Sequence, residues 1–484
     1  MSVLDLRPLV PALMVAITGL VVLLAQAFTP KGRPSPSAGL SLTGLIASLG
    51  ATLLIWNGNG RGANVGGSYA ADDFALFLHF LILVIGLLVV LLSPSYLRAT
   101  KIDRGEYYAL LLFSIVGMLG LVSCKELVSL FVALEIMSVS LYAMAGLHRD
   151  REQSLESALK YFVTGAFSSG FFLYGVALLY GVSGSTSLPD MAQHLHGATA
   201  STLALALLGT GLLLVGFGFK VASVPFHMWA PDVYQGAPTT VTGFMAAGVK
   251  VAAFGAFLRV LLEALPGLAS EWQPALAALA VVSMIVGNLG ALAQSNLKRM
   301  LAYSSVAHAG YILTALVATP GLGVEAVLFY LVAYAAMNLG AFGVLSSLAR
   351  DDQEPLSLGD LAGLGVRRPA LAAALTLFLI SLTGVPVSAG FVGKFYLFRA
   401  AVNAGYVSLA LVGVVMSVVS AYYYLRVVVF MYMREAGDAP TWGPVTWWSA
   451  LGLATAAAAV LGLGVYPGPV LEAARLAALA LAPH

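Results

Sequence analysis

Charged side chains are scarce in this chain. Only 10% of its 484 residues are Asp, Glu, Lys or Arg, against about 25% in soluble domains, whereas 60% are hydrophobic and the mean hydropathy is +0.92. A water-soluble core has no use for so much apolar surface, so the composition predicts a membrane protein and excludes a soluble domain. The net charge of +2 provides no basic face for nucleic acid.

Cysteine is almost absent as well. Cys124 is the single thiol, which excludes an internal disulfide and a cysteine-ligated cluster. The chain has no H-x-x-x-H pair, no Walker sequence and no C-x-x-C motif, so we expect no redox cofactor, nucleotide or metal ion in it. The N-terminal "MSVLDLRPLV" lacks a basic region, so we expect the first apolar run to be a retained helix.

What the chain does have is long apolar runs. A span needs about 20 mostly apolar residues and must be helical, because lipid offers the backbone no hydrogen bonds. Fourteen such runs, with short loops between them, predict an all-α polytopic membrane protein whose residues 1–484 form a single transmembrane bundle. The runs lie near 9–28, 38–56, 73–93, 107–123, 126–147, 155–181, 203–224, 238–262, 274–294, 299–318, 324–348, 369–400, 404–431 and 445–466.

The basic residues of the loops fall mainly on one side of the predicted bundle. Thirteen lie on one side and six on the other, and the positive-inside rule makes the richer side cytoplasmic. We therefore expect a bacterial plasma (inner) membrane protein with both termini on the outer, periplasmic side. The thirteen are Lys31, Arg33, Arg98, Lys101, Arg104, Arg149, Arg151, Lys298, Arg299, Arg350, Arg367, Arg368 and Arg434. The six are Arg7, Arg61, Lys125, Arg259, Arg399 and Arg475.

Several charges lie inside the apolar runs, where each costs about 2.5–3.5 kcal/mol at the centre of a helix. Lys160 and Arg426 are close enough to a helix end for their charged groups to reach the interface, and four other charges need a different explanation. Lys250 and Glu135 are near the middle of their runs, and neither is close to an end. Lys220 and Lys394 lie beside interruptions of the helical pattern. A buried carboxylate must find a cation or take up a proton, so we expect the buried lysines to be the partners of Glu135.

Two of the runs are interrupted beside a lysine. Pro225 follows Lys220 and removes a backbone donor, and Pro386 in "GVPVSAG" precedes Lys394 by two turns. Broken helices at corresponding positions of two halves indicate an inverted-repeat transporter with a site near the midplane. Because the interrupted runs are the seventh and the twelfth, we expect inverted five-helix repeats over helices 4–8 (residues 107–262) and 9–13 (residues 274–431).

Two histidines are further candidates for proton transfer. His308 is about ten residues into the tenth run, or roughly 15 Å deep, which is near the centre of the bilayer. His227 follows the break at Pro225. Histidine titrates near neutral pH and can relay protons, but a membrane histidine serves equally as a hydrogen-bonded packing residue. The residues alone leave both interpretations open.

Several motifs, in their order along the chain, resemble the signatures of one family. They are "KELVSLFVALEIMSVSLYAM", "FKVASVPFHMWAPDVYQGAPT", "NLKRMLAYSSVAHAGY", "YAAMNLGAF" and "GVPVSAGFVGKFYLF". In combination they resemble the N-subunit family of proton-pumping NADH:quinone oxidoreductase, respiratory complex I, and the resemblance extends over the whole chain. Ala307, and a lysine rather than a glutamate at position 394, are similar to subunit N more than to its relatives L and M.

This resemblance implies an antiporter-like, proton-translocating subunit of that enzyme, with fourteen helices in two inverted repeats. The matching proton-channel residues are Glu135, Lys220, Lys250 and Lys394, and His308 matches the polar axis that connects them. The resemblance implies no cofactor in this chain, with NADH, flavin, iron–sulfur clusters and quinone in partner subunits. The partners it implies are neighbouring antiporter-like subunits and small membrane subunits.

Two other functions remain as alternatives. A subunit of a multi-subunit sodium/proton or potassium/proton antiporter has the same fold, but a carboxylate-rich cation site would favour it and this chain has few buried carboxylates. A non-transporting membrane scaffold is the second alternative, and mid-span lysines argue against it because their burial is costly.

Overall fold

The computed structural model describes residues 5–30, 35–58, 60–195, 200–436 and 442–481, and nearly all of them are helical. The helices are α1 (Val10–Phe28), α2 (Ser37–Trp56), α3 (Asp73–Ala99), α4 (Gly105–Ser123), α5 (Leu127–Ala145), α6 (Glu152–Ser183), α7 (Leu188–Leu195), α8 (Ala200–Val221), α9 (Trp229–Gly236), α10 (Thr239–Phe244), α11 (Lys250–Glu263), α12 (Ala269–Leu292), α13 (Leu297–Leu316), α14 (Leu322–Ser347), α15 (Leu364–Arg367), α16 (Pro369–Thr383), α17 (Ala389–Asn403), α18 (Val407–Met433), α19 (Trp447–Val465) and α20 (Gly468–Leu479). A π-helix, Met245–Val249, joins α10 to α11, and a short antiparallel ribbon of β1 (Asn64–Val65) and β2 (Tyr69–Ala70) lies between α2 and α3.

The long helices confirm the all-α membrane fold. In the described ranges, twelve helices are long and apolar enough to cross a membrane, or thirteen if the bent pair Gly359–Arg367 and Pro369–Thr383 counts as one span. Two of the fourteen predicted runs are not straight apolar helices of that kind. One is α13, which carries Lys298, Arg299 and His308, and the other is divided into α16 and α17, each of 15 residues.

The helices α10, α11 and α14 occupy the centre of the bundle. Every residue from 239 to 262 is buried, and nearly every residue of α14 is buried as well. By contrast, α6 and α18 expose large apolar side chains such as Phe167 and Val418. A helix that is buried on all its faces lies in the interior, so Lys250 and Arg259 of α11 face protein rather than lipid.

The first interruption separates α8 from α9. Helix α8 ends at Val221, Ala222 has a left-handed φ of 58°, and the chain passes through Pro225 before α9 begins. The indole nitrogen of Trp229 donates a hydrogen bond of 3.0 Å to the carbonyl of Phe219 in the last turn of α8, which also accepts from the backbone N–H of Ala222 at 3.1 Å. The break expected beside Lys220 is therefore present, and α9 satisfies part of its backbone.

The second interruption separates α16 from α17. Helix α16 ends at Thr383, and Gly384 adopts a left-handed conformation with φ of 91°, which glycine tolerates without steric cost. Helix α17 then crosses close to the end of α16. A Cβ atom on Gly390 would lie 1.7 Å from the carbonyl oxygen of Ser381, so only glycine fits at this crossing.

Two residues that the loop tally counts as loop charges are helical and buried. Arg259 lies in α11 and donates to Asp72 at 2.8 and 2.9 Å and to Glu263 at 2.6 Å. Lys298 is the second residue of α13 and is 1% exposed. Counting them as loop charges was wrong, because nearby carboxylates compensate their charges inside the fold. Leaving these two residues out of the count lowers the number of basic residues by one on each side. The side predicted to be cytoplasmic still has more of them.

Candidate functional site

Lys250 lies where the central helix changes its geometry. The five-residue π-helix Met245–Val249 ends directly before it, and such segments are frequent at functional sites. The Lys250 amine donates a hydrogen bond to the carbonyl of Ser305 on α13, and it lies 5.4 Å from the ring centroid of Tyr334. The Tyr334 hydroxyl donates to the Ser305 hydroxyl at 2.9 Å. The lysine is thus buried against a carbonyl and beside a pair of hydroxyl groups.

His308 follows Ser305 on α13 and has a hydroxyl on either side of its ring. Its Nδ1 is hydrogen-bonded to the hydroxyl of Tyr330, and its Nε2 lies 3.1 Å from the hydroxyl of Tyr424. The Tyr424 hydroxyl is also bonded to Ser304. In a neutral imidazole one nitrogen donates and the other accepts, so this ring can pass a proton from one hydroxyl towards the other.

Lys394 lies on the far side of α13. Its amine donates to the carbonyl of Thr383 at 2.9 Å and lies 4.7 Å from the ring centroid of Tyr311. The ring of Tyr311 packs edge-on against that of His308, with their centroids 5.3 Å apart. Because residues 305, 308 and 311 are spaced three apart, they form one stripe along α13. This stripe, flanked by the two lysines, is the central polar row: Lys250, Ser305, His308, Tyr311 and Lys394.

Three tyrosines around the row were missed by the reasoning from sequence. Tyr330 and Tyr334 are four residues apart, which places them on one face of α14, and Tyr424 comes from α18. The four-residue spacing was a visible signal, but the same spacing is ordinary for aromatic packing in a buried helix. In the described chain, the hydrogen-bond partners of Lys250, His308 and Lys394 are hydroxyls and carbonyls rather than carboxylates.

Glu135 and Lys220 are near each other but do not form the direct pair that was expected. Lys220 is 2% exposed and donates to Ser138 at 2.7 Å, with the hydroxyl of Tyr142 at 3.4 Å. Glu135 accepts a hydrogen bond from Ser169 on α6. Ser138 is three residues after Glu135 on α5, so one helical turn separates the carboxylate from the lysine's acceptor. The hydroxyl of Ser138 occupies the place that the carboxylate was expected to take.

His227 lies apart from the central polar row. Its half-buried ring is 6.3 Å from the ring of Tyr303, and no hydrogen bond among the described residues joins it to another predicted site residue. The structure therefore groups Lys250, His308 and Lys394 around α13. It places Glu135 and Lys220 together at α5 and α8, and it leaves His227 at the first break.

Comparison with known families and structures extends over nearly the whole chain. Residues 124–420 match the family described as NADH:quinone oxidoreductase/Mrp antiporter, TM. The NADH-quinone oxidoreductase subunit N of Trichlorobacter lovleyi is 43% identical over 473 residues, which cover 98% of this chain and 97% of that relative.

Two solved structures contain similar chains. One is respiratory complex I from Thermus thermophilus with bound aureothin, in which a chain is 40% identical with a TM-score of 0.81, covering 96% of this chain and 98% of that one. The other is the Mrp complex from Dietzia sp., in which a chain is 23% identical with a TM-score of 0.82, covering 99% and 98%. The second likeness shows a shared fold alone.

Proposed function

The chain belongs to the NADH-quinone oxidoreductase subunit N family, and from this premise we propose that it translocates protons in the membrane arm of such a complex. The observation that carries the proposal is the central polar row. Lys250, His308 and Lys394 are buried where a charge is costly, and their hydroxyl and carbonyl partners leave them able to exchange protons. In a scaffold that transports nothing, no function would offset the free-energy cost of burying these groups.

The proposed relay begins at Glu135 and ends at Lys394. The carboxylate of Glu135 lowers the cost of an ammonium at Lys220, one helical turn from the acceptor that holds it. Lys220 gives its proton to Lys250 and becomes neutral, and Lys250 passes one proton on towards His308. The imidazole accepts at one nitrogen and releases from the other, after which Lys394 takes the proton and releases it outside. Lys220 takes up its next proton from the inner side, so Lys220, Lys250, His308 and Lys394 each gain and lose one proton per cycle, while Glu135 stays the counter-charge of Lys220.

In this proposal, the two helix breaks allow the proton-transfer residues to become accessible from one side of the membrane and then from the other. Each lies beside a lysine, and together they mark inverted repeats over residues 107–262 and 274–431. We keep His227 as a proton-transfer candidate at the first break, because its ring lies beside Tyr303, the neighbour of Ser304. Moving one charge against the membrane potential costs about 2.3 kcal/mol per 100 mV, which redox chemistry in other subunits must supply.

Partner subunits are part of the proposal because of the outer face of α5. Val132, Ile136 and Val139 are exposed there, and Glu135 is only half-buried among them. A carboxylate against lipid is costly, so a neighbouring membrane subunit, antiporter-like or small, packs on this face. NADH, flavin, iron–sulfur clusters and quinone belong to partner subunits, and this chain contributes no redox centre. The excess of basic loop residues on one side supports a location in a bacterial plasma membrane with both termini outside.

The test is proton uptake by inverted membrane vesicles that contain the assembled complex. Lys250→Ala is expected to assemble and to lower the uptake per assembled complex by about tenfold or more, as loss of a proton-transferring group does. Lys250→Arg is expected to fail too, because arginine does not release its proton near neutral pH. Lys101→Ala, in an exposed loop, is the control. Uptake equal to wild type in Lys250→Ala would contradict the proposal.

Purification of the native assembly separates this function from the alternatives. We expect subunits with flavin and iron–sulfur centres to co-purify with the chain. Co-purification with other antiporter subunits alone, and sodium- or potassium-dependent proton exchange in vesicles, would instead support a cation/proton antiporter.

A further inference from the structure

A group of buried ions lies outside the central polar row, at the end of the bundle where α10 and α13 begin. Glu354, in the loop after α14, has a side chain that is 5% exposed. Its carboxylate accepts hydrogen bonds from Arg151 at 2.9 Å, from Tyr96 at 3.0 Å and from Thr239, and the amine of Lys298 lies 3.5 Å away. These five residues, the Glu354 cluster, come from four helices or their flanks and one loop.

The carboxylate of Glu354 is charged and well compensated. Burial alone would raise the pKa of Glu354, but Lys298, Thr239 and Arg151 outweigh burial and lower it below the ordinary value. Lys298 also donates to the carbonyl of Ala237 at 2.8 Å, and the backbone N–H of Thr239 donates to the Tyr96 hydroxyl at 2.9 Å. Removing this one carboxylate would leave the buried ammonium of Lys298 without its counter-charge.

The cluster connects the same two helical segments that meet at the central polar row. Thr239 is the first residue of α10, and Lys250 follows eleven residues later at the end of the π-helix. Lys298 is the second residue of α13, and Ser305 follows it by seven residues, about 10 Å further along nearly the same face. One carboxylate thus bonds to the starts of both segments whose inner parts form the Lys250–Ser305 hydrogen bond.

We propose that Glu354 is a positioning residue for proton transfer, which keeps the Lys250 amine against the Ser305 carbonyl by holding the first turns of α10 and α13 together. This inference rests on the proposed role of Lys250. Glu354 carries no proton itself, since its carboxylate is bonded to cations and hydroxyls, and its partner Thr239 lies about 16 Å of helical rise before Lys250. It acts through the placement of two helices.

The test is Glu354→Gln in the assembled complex, measured as proton uptake by inverted vesicles per assembled complex. Glutamine keeps the size but has no charge and one accepting oxygen instead of two, so it cannot accept from Lys298 at one atom and from Thr239 at the other, and it holds α10 and α13 together less firmly. We expect uptake to fall about tenfold, because misplacing a reacting group by about 1 Å can cost 100-fold. Glu354→Asp keeps the charge and is expected to retain at least half of the wild-type rate.

A role in folding alone gives a different result. It would lower the amount of assembled complex and leave the rate per complex unchanged, and that outcome overturns the proposal. The matched control is Asp351→Asn, which removes one carboxylate from the same loop. Asp351 is 83% exposed, pairs with the neighbouring Arg350 and has a left-handed φ that asparagine tolerates. We expect the wild-type rate from it.

Two further variants keep the outcome decisive. If Glu354→Gln assembles poorly, Glu354→Gln with Lys298→Met removes both charges and leaves no uncompensated ammonium, and a wild-type rate in it overturns the proposal. Lys250→Ala distinguishes a failure of the proposed function from a failure of the positioning role of Glu354. If Lys250→Ala pumps normally, the proposed function fails, whereas if Lys250→Ala is inactive and Glu354→Gln is normal, only the positioning role fails.

Discussion

The two broken helices carry a lysine at similar places but hold it in different ways. At the first break, Lys220 donates to the side chains of Ser138 and Tyr142, which belong to another helix. At the second break, Lys394 donates to the carbonyl of Thr383, which the break itself leaves free. A cation at the carboxyl end of α16 also interacts favourably with the helix dipole.

The difference indicates what each lysine responds to. The acceptor of Lys220 stands one turn from Glu135 on α5, so a change at the carboxylate or in the packing of α5 reaches that lysine directly. The acceptor of Lys394 is backbone, so its environment depends on the geometry of the break. The first site is therefore adjustable from a neighbouring helix, and the second is fixed by how α16 and α17 cross.

The largest effect is expected from a substitution that disrupts the crossing of α16 and α17. Gly390→Ala would place a Cβ atom 1.7 Å from the carbonyl oxygen of Ser381, and backbone atoms cannot move aside cheaply. We expect a loss of about 3 kcal/mol or more in stability, with displacement of α17 and its lysine. The measurement is the thermal unfolding midpoint of the purified complex, together with proton uptake per complex.

The matched variant at the first break is Gly218→Ala. A Cβ there would approach the ring of Phe226 at 2.6 Å, and a half-buried side chain can rotate away. We expect a smaller loss than in Gly390→Ala. Equal losses in the two variants would contradict the view that only the second crossing is fixed by backbone contact.

Local features of this fold could be predicted from the sequence because their causes are local. The length of each apolar run predicts a membrane span. The cost of burying a charged or titratable side chain identifies Lys250, Lys394 and His308 as candidate site residues, wherever the exact ends of the runs lie. The breaks were also visible, since proline and glycine interrupt helices wherever they occur.

The partners of these residues could not be predicted, because they come from distant parts of the chain. Arg259 was placed in a loop since its carboxylate partner, Asp72, is 187 residues away in sequence. Tyr424 is 116 residues from His308, and Glu354 lies in a loop that reads as solvated. The expected contact between Glu135 and Lys220 was wrong for the same reason, because helix rotation decides whether Ser138 or the carboxylate faces the lysine.

A moderate effect is expected from Ser138→Ala, which removes the main acceptor of Lys220. Among the described residues, the buried amine then keeps the Tyr142 hydroxyl at 3.4 Å as its hydrogen-bond partner. An unsatisfied buried polar group costs about 1–3 kcal/mol, so we expect lower stability and a several-fold loss of proton uptake. The control is Thr383→Val, which keeps the carbonyl that binds Lys394 and removes only a hydroxyl bonded within its own helix. A larger loss of proton uptake in Thr383→Val than in Ser138→Ala would contradict the view that Lys220 depends on a side chain and Lys394 on the backbone.

The smallest expected effect is that of Pro386→Ala. Proline interrupts helices, but in this structure Gly384 and Val387 have left-handed φ values of 91° and 69° on either side of it. Those conformations, with the tight passage at Gly390, are enough to keep α16 and α17 apart after the proline is removed. Alanine should therefore cost only about 0.4–1 kcal/mol through the freer unfolded chain, with proton uptake within about twofold of wild type. The measurement is the unfolding midpoint beside proton uptake per assembled complex. A large loss of uptake with unchanged or higher stability would show that the proline alone maintains the break, and that the second site, like the first, depends on a replaceable side chain.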